Sequence, residues 1–169
     1  MTLGELNGSS VSAASEALLR CCGSTRWVEA MLTARPFASV QALHSAADRH
    51  WARATRDDIL EAFGHHPRIG ADIEQLRKKF ASTAQWSAGE QSSVAAADEA
   101  ILVSLRDRNL AYEDRFGHIF IVCATGKTAA EMLHILQGRL DNAPDDELAI
   151  AAEEQRKITH LRLDKLVGV

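Results

Sequence analysis

Ile119-Phe120-Ile121-Val122-Cys123-Ala124 is a continuous apolar run that by itself could form a buried strand or a buried helix segment. No second strand candidate exists to pair with it. A lone strand leaves its backbone N–H and C=O groups without partners, which a buried segment cannot tolerate. The run is therefore expected as an extended buried segment, placed to line a site. The remaining structure has to be helix and loop.

The rest of the sequence reads accordingly. Val11, Ala14, Leu18 and Cys21 recur at helical spacing and stop near Cys22-Gly23. Ser24 is positioned to cap a helix with Trp27, Ala30 and Met31 inward, and Arg35-Pro36-Phe37 breaks it. Ser39 caps the next, with Val40, Leu43, Ala47 and Trp51 on one stripe. Thr55-Arg56-Asp57-Asp58, Ser87-Ala88-Gly89-Glu90 and Thr128-Ala129-Ala130-Glu131 have the spacing of capping boxes, the first with Asp in the acidic place. They open helices carrying Ile59, Leu60 and Phe63; then Val94, Ala97, Ile101 and Leu105, continuing through Tyr112 and Phe116 to Gly117; and then Ala129, Met132, Leu136 and Leu140. Ile69, Ile73, Leu76 and Phe80 mark a further helix. The last begins near Asp145 and runs through Leu148, Ala152 and Ile158 to Leu161-Arg162-Leu163. The expectation is an all-α fold: a single compact domain over residues 1–169, with about eight helices and one extended buried apolar segment.

Composition narrows the function. A net charge of −4 and scattered basic residues argue against a nucleic-acid surface. No stretch is long and apolar enough to span a membrane, and the N-terminus has no basic, apolar leader pattern. The three cysteines, Cys21, Cys22 and Cys123, lack C-x-x-C spacing and read as reduced thiols of a cytoplasmic protein. The partner expected is a small molecule, neither nucleic acid nor membrane; a homodimer stays open.

The chemistry centres on Phe63-Gly64-His65-His66-Pro67-Arg68-Ile69-Gly70. Gly64 can take the left-handed conformation that ends a helix. Pro67 pushes His66 out of helical geometry and suits the first position of a new helix. His66 is thus expected at a helix N-terminus, where the dipole favours a neutral imidazole able to exchange protons near neutral pH. Two histidines at a turn also fit a plain polar surface. Glu90 reads as a capping-box acid or as a carboxylate paired with His66. Ser87 and Gln91 beside it suit a polar planar ligand. Arg162 reads as a helix C-terminal cation or as a two-pronged anion clamp. Adjacent His65 and His66 should diverge, and the other histidines are scattered, so no metal set is expected.

Four segments in order, His66-Pro67-Arg68-Ile69-Gly70, Ser87 with Glu90-Gln91, Phe116-Gly117 through Phe120-Ile121-Val122-Cys123-Ala124, and Ile158 through Leu161-Arg162-Leu163, resemble the family of 2-oxo-4-hydroxy-4-carboxy-5-ureidoimidazoline (OHCU) decarboxylases. Arg35-Pro36-Phe37, and Asn109 with Ala111-Tyr112-Glu113, extend the resemblance over nearly the whole chain. It implies cofactor-free decarboxylation to (S)-allantoin in urate breakdown, with His66 as the catalytic histidine and Glu90 as its acidic partner. It further implies that Pro67, Ser87 and Gln91 contact the ring, that backbone groups of Ile119, Phe120, Ile121, Val122 and Cys123 hydrogen-bond the substrate, and that Arg162 binds an anionic or carbonyl group. Ile69, Ser92-Ser93 and His118-Ile119 depart from the family pattern. The chain length argues against a fused hydroxyisourate hydrolase domain. Two other readings compete: a metal-dependent hydrolase using His65, His66 and Glu90, and a non-enzymatic helical ligand-binding module.

Overall fold

The computed structural model describes residues 1–66, 73–80 and 91–169. Every regular element among them is a helix: α1 (Leu3–Gly8), α2 (Val11–Cys21), α3 (Thr25–Thr33), α4 (Val40–Trp51), α5 (Arg56–Gly64), α6 (Ile73–Phe80), α7 (Gln91–Phe116), α8 (Ala129–Arg139) and α9 (Pro144–Val167). Residues 119–124 belong to no helix and carry no ladder, with Phe120, Ile121 and Val122 buried.

The caps lie where hydroxyls and carboxylates are spaced for them. Ser10, Ser24 and Ser39 each accept an N–H from the first turn they precede. Thr55 with Asp58 and Thr128 with Glu131 close full capping boxes. Thr2 and Glu5 close another, opening α1, a helix that the apolar pattern does not signal because it buries only Leu6. The box at Ser87 and Glu90 lies outside the described residues, as does the turn into a new helix at Pro67. Gly117 ends α7 at φ +73°, a conformation costly for any residue with a Cβ. Gly64 is different from expectation. It is the last residue of α5, without positive φ, and His65 closes the helix in right-handed geometry.

The described residues fall into two compact units. The first comprises Met1–His66, Ile121–Cys123 and Ile150–Val169. Its core joins Leu6, Leu18, Trp27, Met31, Leu43 and Leu163. Val11, expected inside, is 66% exposed, because the buried side of α2 is Ala14, Ala17, Leu18 and Cys21. Two indoles give their N–H to main-chain carbonyls, Trp27 to Ala47 at 3.1 Å and Trp51 to Ala152 at 3.0 Å. These satisfy the polar ends of large aromatic side chains and tie α3 to α4 and α4 to α9. Asp48 adds contacts to His160 at 2.7 Å and to the Arg156 guanidinium at 3.2 Å.

The second unit comprises Pro67–Phe120 and Ala124–Ala149. Tyr112, Leu105, Met132 and Leu136 are buried in it. Its interior also holds a charge: Glu147 is fully buried and receives Arg139 Nε at 2.8 Å, Asn142 Nδ2 at 2.8 Å and the Tyr112 hydroxyl. A carboxylate without water needs such a set of donors.

Along α9 the buried positions are Glu147, Ala151, Gln155, Thr159, Leu163 and Val167, one every fourth residue. Half of them are polar. Leu161, which looks like core in sequence, is 39% exposed.

Candidate active site

His66 follows the C-terminal end of α5, in the first unit. Its backbone is held by an N–H donated to the Phe63 carbonyl at 3.0 Å. Its ring is held from both sides by α9. Nε2 stands 2.5 Å from Gln155 Oε1, and Nδ1 stands 3.5 Å from Arg162 Nη2. Gln155 is fully buried and its Nε2 donates to Thr159 Oγ1 at 3.1 Å. Arg162 also reaches the carbonyls of Arg20 and Cys21, each at 3.4 Å. The end of α2 and the last turns of α9 therefore fix the guanidinium together.

Burial pushes the His66 imidazole below its ordinary protonation range, and the Arg162 charge adds to this against the opposing hydrogen bond from Gln155. The sequence-level expectation of a neutral imidazole gains a different cause from the helix dipole invoked for it. Nearby, burial pushes the Cys21 and Cys22 thiols up to about 11, which keeps both protonated and poor as nucleophiles.

His65 and His66 diverge, as adjacent side chains at a turn should. His65 lies against Gly23, at the junction of α2 and α3, while His66 turns towards α9. Among the described residues, no three His, Cys, Asp or Glu side chains converge as a metal-ligand group.

Arg162 lines an open cleft of about 600 Å³ in the first unit with Arg20, His65, Lys165, Cys21 and Leu166. The cationic lining suits an anion. Within the 119–124 segment, the Cys123 N–H is donated to Glu154 Oε2 at 2.7 Å, and Glu154 is paired with Lys157 at 2.6 Å. That N–H is engaged by the protein's own carboxylate. Pro67, Ser87 and Glu90, and the side chain of Gln91, lie outside the described residues.

The structure thus brings together His66 and Arg162, both singled out in the sequence. It adds Gln155 and Thr159, which were not. Their signal was present: both are polar residues in the register of a buried helical stripe, between Ala151 and Leu163.

The OHCU decarboxylase family model matches residues 7–164. The uric acid degradation bifunctional protein of Arabidopsis thaliana is 43% identical over 148 residues, which is 86% of this chain and 45% of that protein. The chain thus spans less than half the length of that relative. The 2-oxo-4-hydroxy-4-carboxy-5-ureidoimidazoline decarboxylase of Mus musculus is 30% identical, over 82% of this chain and 77% of its own length. A crystal structure of OHCU decarboxylase in the presence of (S)-allantoin superposes with a TM-score of 0.74 at 38% identity, covering 92% of this chain and 99% of that one. With a family match running from the end of α1 to the last turn of α9, this chain belongs to the OHCU decarboxylase family.

Proposed function

We propose that this chain decarboxylates 2-oxo-4-hydroxy-4-carboxy-5-ureidoimidazoline to (S)-allantoin, with His66 as the acid–base group. Family membership supports the reaction. The observation that carries the role of His66 is its setting: a half-buried, neutral-leaning imidazole gripped between Gln155 and Arg162.

The substrate bears a carboxylate and a hydroxyl on one ring carbon, next to a C=N bond. When the carbon–carboxylate bond breaks, its electron pair flows towards that imine, which serves as the electron sink. The imine nitrogen, having taken that pair, gains a proton from solvent; the hydroxyl then loses one as it becomes a carbonyl, and the adjacent carbon gains one. A single histidine that first accepts and then donates can serve the last two transfers. Delivery from one side gives one enantiomer. The Arg162 guanidinium, 3.5 Å from His66 Nδ1, suits the departing carboxylate's starting position.

Within the same reading, Glu90 is the acidic partner that steadies the imidazolium formed on His66, and Pro67, Ser87 and Gln91 contact the ring. Main-chain groups of Ile119, Phe120, Ile121, Val122 and Cys123 hold the substrate's polar edge, with the Cys123 N–H supplied once Glu154 gives way. That Cys21, Cys22 and Cys123 form no disulfide supports a cytoplasmic setting, where thiols stay reduced. No helix among the described residues is long and apolar enough to cross a membrane. Whether the working form is a homodimer is decided by light scattering on the purified protein.

The test is to add freshly generated substrate and follow allantoin by circular dichroism. Spontaneous decay gives racemic product. Accelerated, single-handed product supports the reading; an unchanged rate of racemic product overturns it.

A further inference from the structure

A chain of hydrogen bonds ends on His66 and dictates which of its nitrogens carries a proton. Thr159 Oγ1 donates to the main-chain carbonyl of Gln155 at 3.0 Å. A hydroxyl has one proton to give, so the 3.1 Å contact with Gln155 Nε2 must be one in which the hydroxyl accepts. This orients the amide, leaving Oε1 directed at His66 Nε2, 2.5 Å away. An amide oxygen only accepts, so His66 Nε2 carries hydrogen. From the other side, Arg162 Nη2 faces Nδ1 at 3.5 Å, and a guanidinium only donates. The two ends agree: Nε2–H, with a lone pair on Nδ1.

We infer that Gln155 and Thr159 are positioning residues for the decarboxylation, holding His66 as its Nε2–H tautomer so that Nδ1 is the nitrogen that exchanges protons with the substrate. The inference rests on the reading of His66 as the acid–base group.

An amide in this place does something a carboxylate would not. Aspartate behind a histidine stabilises the imidazolium, whereas the neutral Gln155 fixes the ring without adding charge. The Nδ1 lone pair is then ready to take the substrate's hydroxyl proton. The resulting imidazolium returns a proton from Nδ1 to the ring carbon and regains the starting tautomer. Throughout, Nε2–H stays on Gln155 Oε1, so the amide accepts in both charge states and need not turn. The long Arg162 contact leaves the lone pair accessible. Thr159 touches neither His66 nor Arg162 among these hydrogen bonds, yet its hydroxyl sets the sense of the relay.

The measurement is the nitrogen-15 spectrum of histidine-labelled protein, well above the ordinary histidine protonation range, with His66 assigned by its loss in His66→Asn. The expected result is a pyridine-type signal for Nδ1 and a pyrrole-type signal for Nε2. Thr159→Val keeps the shape and removes the hydroxyl. It should admit the opposite tautomer and lower kcat about tenfold or more, with a smaller change in KM, while Thr159→Ser restores both. Gln155→Glu should shift the acid limb of the rate profile to higher pH by favouring the imidazolium. A lone pair on Nε2 in the unmodified protein overturns the inference. So does a Thr159→Val protein whose His66 signals stay in place. If the tautomer is as stated but His66→Asn turns over normally, the acid–base reading fails instead, and the proposed role in turnover fails with it.

Discussion

A Cβ added to Gly23 would run into the Cβ and ring of His65. The α2–α3 junction and the turn after α5 approach so closely there that hydrogen is the largest group the site admits. The neighbouring His66 takes its position from the same turn.

Gly23→Ala should therefore destabilise the protein by about 1–3 kcal/mol, the usual range for overpacking a filled site. The turn would have to move, and catalysis should suffer with it. His65→Ala in the same chain removes the His65 ring and should recover part of the loss. Denaturant unfolding of the single and double variants checks the coupling.

His66→Asn should stay folded, still bind a product analogue and lose the catalysed rate by roughly a hundredfold or more. His65→Asn should be mild, because that side chain is directed elsewhere. Steady-state kinetics and circular dichroism on both proteins make the comparison. A damaging His65→Asn beside a tolerated His66→Asn would assign the chemistry to the wrong residue.

The pH dependence has a definite sign. Burial and Arg162 lower the proton affinity of folded His66 below its ordinary value of 6.5. Its neutral form thus persists to lower pH, and the acid limb of kcat/KM should fall below 6.5. Its contribution to stability is present above the unfolded value and is lost as pH falls through the folded one. Arg162→Gln removes the neighbouring charge and should move that limb upward. Arg162→Lys keeps a charge but not the fork that spans His66 and two carbonyls, and should also lose activity. A rate profile for each variant tests both statements.

In the second unit, Arg139→Met should cost about 3–5 kcal/mol, because it strips the charged partner from a carboxylate with no exposure. Replacing Glu147 by Gln at the same time should relieve much of that cost. Thermal unfolding of the two proteins gives the difference.

The helical class was legible because its evidence is local. Ser24, Ser39, Thr55 and Thr128 cap where their hydroxyls stand in the sequence, and the apolar run at 119–124 has no ladder to join. His66 and Arg162 were legible as chemical types, but only the fold brings their side chains together across 96 positions. Gln155 and Thr159 were not read at all. A stripe that recurs every fourth residue drifts around a helix of 3.6 residues per turn, by about 40° at each step. Over α9 that drift spreads the buried positions around the axis, and polar members interrupt the apolar signal. Gly64 misled for another reason: a glycine permits a left-handed turn without requiring one, and here His65 ends the helix.

Both nitrogens of the His66 ring are met by one helix, from Gln155 on one side and Arg162 on the other. Seven residues make nearly two turns, so the two side chains share a face about 10 Å apart along the axis. The stretch between them acts as a fixed spacer. Its side chains can be exchanged one for another at little consequence to the spacing. Deleting or inserting a single residue would turn one end by about 100° relative to the other and release one side of the imidazole. Across descendants of this chain, the interval from Gln155 to Arg162 should tolerate changes in letters far better than changes in length.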